Sequence, residues 1–291
     1  MSSLQYVIIS PLKDEEAYVE ATLRSVVDQE VKPARWVIVD DGSSDKSPEI
    51  VERYCREHAW ITLLRSERKG ERQPGSPVIH AFNRGYRLIE NDGYDIVVKL
   101  DCDLLFDPGY FKSILEHFEK DDLLGIASGI YLEENGSGWA PIEMPWYHTA
   151  GACKVMRANC FREIGGFVAA RGWDTVDEIR AQYRGWSTRH FTDLKMHHLK
   201  KEGSGIGSLR TGVMHGEVFY RTGGSKTFFI FKVLHRMIFG QPLVIGGMAV
   251  LWGYLHSLMR NTDLLVTEEE GRFYRRQLNS RMLDALRAKN N

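Results

Sequence analysis

Residues 96–103 read Ile96-Val97-Val98-Lys99-Leu100-Asp101-Cys102-Asp103. Ile96 to Leu100 is a short, mostly apolar, β-branched run, the pattern of a buried strand. It stops at two carboxylates spaced i and i+2. Two acids just past a strand end can converge on one ion. Hard divalent cations take oxygen ligands, and Mg²⁺ often combines one or two carboxylates with a substrate's phosphates. A bare Asp-x-Asp is also how a solvated turn reads, so the flanking sequence has to decide.

Upstream, strand-like and helix-like stretches alternate. Tyr6 to Ser10 reads as a buried strand, and Glu15 to Asp28 carries apolar residues at helical spacing (Val19, Leu23, Val26, Val27). Trp36 to Asp40 is a second strand, Pro48 to His58 a second helix, Ile61 to Leu64 a third strand, and Val78 to Glu90 a third helix. Such alternation predicts a parallel α/β sheet. Ligands of these sheets bind beyond the carboxyl ends of the strands. The second strand ends in Val39-Asp40-Asp41-Gly42-Ser43, which places two more acids at the same sheet edge as Asp101 and Asp103. Carboxylates there can accept hydrogen bonds from a ribose hydroxyl or a base N–H. The plainer reading is an Asx turn or helix cap, and Ser43, Ser44 and Asp45 are expected to start the next helix.

The composition is that of an ordinary globular chain: 291 residues, 43% hydrophobic and 26% charged. This argues against a disordered chain, a fibre or a polytopic membrane protein. With 38 Lys+Arg against 39 Asp+Glu, there is no overall basic field to hold nucleic acid. None of the four cysteines (Cys55, Cys102, Cys153, Cys160) sits in a C-x-x-C pair, so neither a zinc knuckle nor a redox dithiol is expected. The first residues lack the basic and apolar regions of a signal peptide, and a cytoplasmic location is the default expectation.

Near residue 215 the character changes, so residues 1–215 are expected to form the α/β domain and 216–291 a C-terminal helical region. Ser225 to Phe239 mixes aromatics with Lys226, Lys232, His235 and Arg236, which suits a position on the cytoplasmic face of a membrane. Packing on the sheet is the competing reading. Ile238 to Met259 contains no Asp, Glu, Lys or Arg. As one helix it would be about 33 Å long, near the roughly 30 Å of a bilayer core. Gln241, Pro242, Gly246, Gly247, Gly253 and His256 interrupt it, which favours a buried or interfacial segment over a span. The arginine-rich tail from Gly271 is expected to be a solvated helix.

In order, these features resemble the inverting, GT-A fold glycosyltransferases of family 2. The resemblance runs from about Tyr6 to His198. Pro11-Leu12-Lys13-Asp14-Glu15 matches the family's Pro-x-x-Asn-Glu, with Asp14 where Asn is usual. Val39 to Ser43 matches Val-Asp-Asp-Gly-Ser. Ala81, Asn83 and Gly85 match Ala-x-Asn-x-Gly, and Asp101 and Asp103 are the Asp-x-Asp, with Pro108 downstream. Phe161 to Phe167 contains the Gly-Gly-Phe stretch that precedes the acceptor site. The implied fold is a Rossmann-like, mixed and mostly parallel sheet flanked by helices, with a C-terminal helical extension.

The resemblance also implies roles. Pro11, Glu15, Asp40, Asp41 and Asp101 would bind the nucleotide-diphospho-sugar donor. Asp103 and a downstream histidine would hold Mg²⁺ or Mn²⁺. His197 and His198 point to opposite faces if their strand continues, so one reaches the metal, and His198 is favoured. His215 is a remoter candidate. The family's Glu-Asp pair falls at Trp173-Asp174, so Asp174 is the expected catalytic base, despite Trp173 in place of Glu. Asp174, Asp177 and Glu178 share one helical face, which leaves Asp177 or Glu178 as substitutes and a helix cap as the plainer role for Asp174. Residues 148–151 resemble the stretch lining the donor sugar. Trp139, Trp146 and Tyr147 are either sugar platforms or core. The basic loop Arg65 to Arg72 is either a diphosphate contact or solvated. The implied acceptor is a glycan or lipid-linked hydroxyl, as in cell-surface polysaccharide or lipid glycan synthesis. Two rivals stand beside this: a sugar-1-phosphate nucleotidyltransferase, which should carry a Gly-rich loop after its first strand, and an inactive nucleotide-sugar-binding tether.

Overall fold

The computed structural model describes residues 4–65, 76–200, 207–240 and 242–288. In chain order the elements begin with β1 (Tyr6–Leu12), α1 (Val19–Val27), β2 (Arg35–Asp40), α2 (Ser47–Glu57), β3 (Ile61–Arg65), α3 (Pro77–Tyr86) and β4 (Ile96–Leu100). Then come β5 (Leu104–Phe106), α4 (Tyr110–Lys120), β6 (Leu124–Glu134), β7 (Trp139–Pro141), β8 (Cys153–Arg157), α5 (Ala158–Glu163), α6 (Trp173–Tyr183) and β9 (Ser187–His198). The chain closes with α7 (Ser208–Arg221), α8 (Lys226–Phe239), α9 (Ile245–Met259) and α10 (Glu268–Ala288).

Two compact units result, residues 1–169 with 184–202, and residues 170–183 with 203–291. The first contains the whole sheet, ordered β3-β2-β1-β4-β8-β6-β9-β5, with β7 paired to β6. Strands β3, β2, β1 and β4 are parallel neighbours, as the β–α alternation predicts. Strand β8 joins β4 antiparallel, and β9 runs parallel to β6. Chain order reverses direction at β1, which lies between β2 and β4. That is the switch point where a doubly wound sheet opens a crevice at its carboxyl edge.

The central strands are buried on both faces, which is why they read as continuous apolar runs. Ile8, Ile38, Val98, Leu100 and Val155 belong to one core with Leu23, Phe111 and Phe118 from the covering helices. Gly85 shows how tightly α3 sits on the other face. A Cβ there would lie 2.7 Å from Ile9 Cγ2 and 2.8 Å from Val39 Cγ2, so this position of the Ala-x-Asn-x-Gly stretch admits no side chain.

The second unit is helical. Phe219, Phe229, Val233, Val250, Tyr254 and Leu278 form its core. Two C-terminal expectations change. The run 238–259 is not one helix: α8 ends at Phe239, Gly240 is extended (φ −84°, ψ 157°), and α9 starts at Ile245 after Val244, whose φ is +59°. Pro242 lacks the N–H an uninterrupted helix would need. No helix among the described residues is long and apolar enough to cross a membrane. The tail helix α10 is not simply solvated, because Glu270 and Leu278 are buried.

Candidate active site

The site starts with two loops at the carboxyl edge of the sheet. Asp14 follows β1 in the left-handed region (φ +54°), which Asn and Asp tolerate best among residues with a side chain. Its Oδ1 accepts from Ser44 N–H at 2.7 Å, and its own N–H donates to Ser43 Oγ at 3.0 Å. Glu15 N–H donates to Ser47 Oγ at 2.8 Å, and Glu16 N–H to Asp45 Oδ2 at 2.9 Å. The polar residues after β2 were expected to cap α2. Asp45 does so, its Oδ1 accepting from Ser47 N–H at 3.0 Å at the start of α2, while Lys46 itself makes no side-chain cap. Ser43, Ser44 and Asp45 also lace the β1 loop to the β2 loop. This gives a physical reason for Asn or Asp at position 14: a left-handed backbone and an acceptor oxygen are needed together.

Asp40 is buried, and its Oδ1 accepts from Ser43 N–H at 2.8 Å, so one oxygen holds the turn. Asp41 faces Arg84 from α3, with Nη2 2.6 Å from Oδ1. Pro11 lies in β1 opposite Val39.

Asp101 and Asp103 follow β4. Burial is the largest influence on Asp101 and pushes its pKa up; Lys99 pulls it down and Asp103 raises it again. Lys99 sits inside β4 with its side chain 2% exposed. Its Nζ donates to Asp101 Oδ1 at 2.5 Å and to Gly151 O at 2.9 Å. One buried ammonium thus joins the Asp-x-Asp to the 148–151 stretch. Sequence reasoning passed over Lys99, although a lysine inside an apolar strand is itself a sign of a buried partner.

His198 Nε2 lies 3.4 Å from Asp103 Oδ2, and Nδ1 lies 3.4 Å from Glu133 Oε1. Burial lowers the His198 pKa, but hydrogen bonding to Asp103 and the surrounding carboxylates outweigh it, and the net shift is upward. His197 turns to the other face and packs edge-on against Trp139 at 4.7 Å. Glu133 was not foreseen, because only strand register brings it here. The β6–β9 ladder pairs Gly129 with Phe191, which alone would set Glu133 opposite Lys195. An irregularity after Gly129 shifts the register, so Glu133 faces His198. Gly129 is what allows it: a Cβ there would lie 2.3 Å from Leu194 O.

Glu15 completes the cluster. Lys200 Nζ holds its Oε1 at 2.7 Å. Burial is the main cause of its raised pKa, with Asp103 and Asp101 adding to it against Lys200. Asp103 Oδ1 and Glu15 Oε2 are both buried without a hydrogen-bond partner. A buried carboxylate oxygen left unpaired is costly. Asp103 and His198 supply an oxygen and a nitrogen donor of the types that ligate divalent cations, but among the described residues no group of three or more His, Cys, Asp or Glu side chains is arranged to hold a metal ion.

The remaining candidates separate. In the second unit Asp174 lies half-buried in the first turn of α6, whereas Asp177 and Glu178 are buried. Trp146 is exposed and edge-on to Tyr147 at 5.7 Å. Of the basic loop 65–72, only Arg65 lies within the described residues, and it pairs with Glu52 at 2.9 Å.

Residues 7–171 match the model of glycosyl transferase family 2. The chain belongs to that family. This family member is 28% identical over 116 residues to the poly-beta-1,6-N-acetyl-D-glucosamine synthases of Staphylococcus aureus (strain COL) and Staphylococcus epidermidis. The match covers 40% of this chain and spans about a quarter (26%) of the length of those relatives. Among solved structures, the mannosyltransferase PcManGT from Pyrobaculum calidifontis, in complex with GDP-Man and Mn²⁺, superposes with a TM-score of 0.59 at 16% identity, over 97% of this chain and 87% of that one. TarS 1–349 from S. aureus, in complex with UDP-GlcNAc, gives 0.56 at 18% identity, over 93% and 78%. At such identities the likeness shows the fold. It is the GT-A glycosyltransferase fold expected from the sequence, with its C-terminal helices present.

Proposed function

We propose that this family 2 glycosyltransferase is a metal-dependent, inverting enzyme. It moves a sugar from a nucleotide-diphosphate donor to a hydroxyl of a glycan or lipid-linked acceptor, working at the membrane surface. The observation carrying this is the meeting of Glu15, Asp101, Asp103 and His198 beyond the ends of β1 and β4, with Asp103 Oδ1 buried and unpaired. The relatives' names, synthases of a polymeric amino sugar, support the acceptor class.

Asp41 and the free capacity of Asp40 accept hydrogen bonds from ribose and base, and Arg84 holds Asp41 in place. Asp103 and His198 would hold the cation, which supplies charge neutralisation at the leaving diphosphate. Lys99 fixes the Asp101 carboxylate toward the donor, and Lys200 fixes Glu15. Asp174 takes the proton of the acceptor hydroxyl as its oxygen bonds to the anomeric carbon and the C–O bond to the diphosphate breaks. A single displacement inverts the configuration and needs no covalent sugar intermediate.

The test pairs thermal shift with turnover. UDP-, GDP- and dTDP-sugars, each with Mn²⁺ and with EDTA, should show one nucleotide class stabilising the protein in a way EDTA abolishes. Asp174→Asn should abolish transfer and leave that stabilisation intact. No shift with any donor would sink the donor site, and equal loss of donor binding in Asp174→Asn would remove its role as base.

A further inference from the structure

The face of α8 and α9 turned away from their shared core is apolar. On α8 the buried side is Phe229 and Val233, and Ile230, Leu234 and Ile238 project at i, i+4, i+8 into solvent. On α9 the buried side is Gly246, Val250, Gly253 and Tyr254, and Met248, Trp252 and Met259 stand at least half exposed. Leu243 and Val244 continue the patch across the turn between the helices. This reverses the usual amphipathic arrangement, in which a helix shows water its polar side. A contiguous apolar patch of this kind marks an interaction surface.

Charge decides what covers it. Between Glu217 and Asp263 there is no acidic residue, and Lys226 and Arg260 are exposed there, whereas Arg221 is held by Glu217 and Asp263 O and Lys232 lies over the Phe219 ring. A second copy laid face to face would bring like charges together without a carboxylate to answer them. Anionic lipid headgroups over an acyl interior answer both features. Helices of 14 and 15 residues, about 21 and 22 Å long, are too short to span a bilayer and suited to lying in its interface.

We propose that the α8–α9 face docks the protein in the plane of an anionic bilayer, with Ile238, Met248, Trp252 and Met259 in the acyl boundary and Lys226 and Arg260 at the phosphates. This deepens the membrane-surface part of the proposed function and rests on it, but lipid binding requires neither sugar donor nor turnover. A vesicle result therefore leaves the transfer chemistry untouched.

The experiment is co-sedimentation of the full chain with phosphatidylcholine vesicles and with vesicles of mixed phosphatidylcholine and phosphatidylglycerol, at low and high salt. Partitioning should be about tenfold stronger onto the anionic vesicles and should fall as salt screens the headgroups. Ile238→Asp/Trp252→Asp should weaken it about tenfold or more with an unchanged melting temperature, since both side chains are exposed. Met259→Asp, in the last turn of α9, serves if the double variant does not fold. The proposal is overturned by absent vesicle binding, by equal binding to neutral vesicles, or by binding that the variants leave unchanged. A concentration-dependent dimer abolished by the same substitutions, without lipid binding, would assign the face to a second copy and overturn it too.

Discussion

Lys99→Met removes the only charge of an otherwise apolar strand and should nevertheless destabilise the protein. The Lys99 side chain is 2% exposed and its Nζ lies 2.5 Å from Asp101 Oδ1, whose side chain is 31% exposed. At that distance the gross attraction is about 7 kcal/mol for an effective dielectric of about 20. Burying the ammonium, and the water still reaching Asp101, cancel more than half of it. A net coupling of about 2–3 kcal/mol remains. Lys99 also donates to Gly151 O, so the single substitution overstates the pair. A double-mutant cycle with Asp101→Asn isolates it. In urea titrations Asp101→Asn should lose about 3 kcal/mol, because it leaves the buried Lys99 ammonium uncompensated, Lys99→Met about 2 kcal/mol, because Asp101 keeps part of its water, and the double variant should lose about 2–3 kcal/mol less than the sum. A coupling below about 0.5 kcal/mol, the level of an exposed pair, would refute the claim that Lys99 holds Asp101 in place.

Three further outcomes are expected. Gly129→Ala puts a methyl where Leu194 O already sits, so it should cost about 3 kcal/mol in thermal or urea melts, while Gly93→Ala, with open space at its Cβ, should stay near wild type. Asp103→Asn should abolish metal-dependent stabilisation by the nucleotide, about 2.7 kcal/mol at a hundredfold excess over Kd, in a thermal shift with Mn²⁺. The Ser44 backbone N–H is the chief cause of the depressed Asp14 pKa, so Asp14 stabilises the fold above its unfolded value of about 3.9 and loses that contribution as pH falls through the folded pKa. Melting temperatures between about pH 2.5 and 5 should therefore fall less steeply for Asp14→Asn than for wild type, and parallel curves would show that the Ser44 contacts do not depend on the charge.

The local pattern determined a large share of this protein. Alternating β-branched runs and helical spacings determined the parallel half of the sheet, because hydrophobic periodicity is a property of neighbours in the chain. For the same reason the sequence placed Asp40, Asp41, Asp101 and Asp103 at one sheet edge: each ends a strand, and parallel strands end together. Register and burial were decided by contacts between residues far apart in the chain. Lys200 reaches Glu15 across 185 positions, and Glu133 meets His198 only because the β6–β9 ladder slips at Gly129. No local periodicity encodes either contact. The run 238–259 likewise reads as one apolar helix, and Gly240, Pro242 and the left-handed Val244 divide it. Which side of α9 is covered was settled by the tertiary core of Phe229, Val233, Val250 and Tyr254, since a helix without charged residues carries no polar face to announce its orientation.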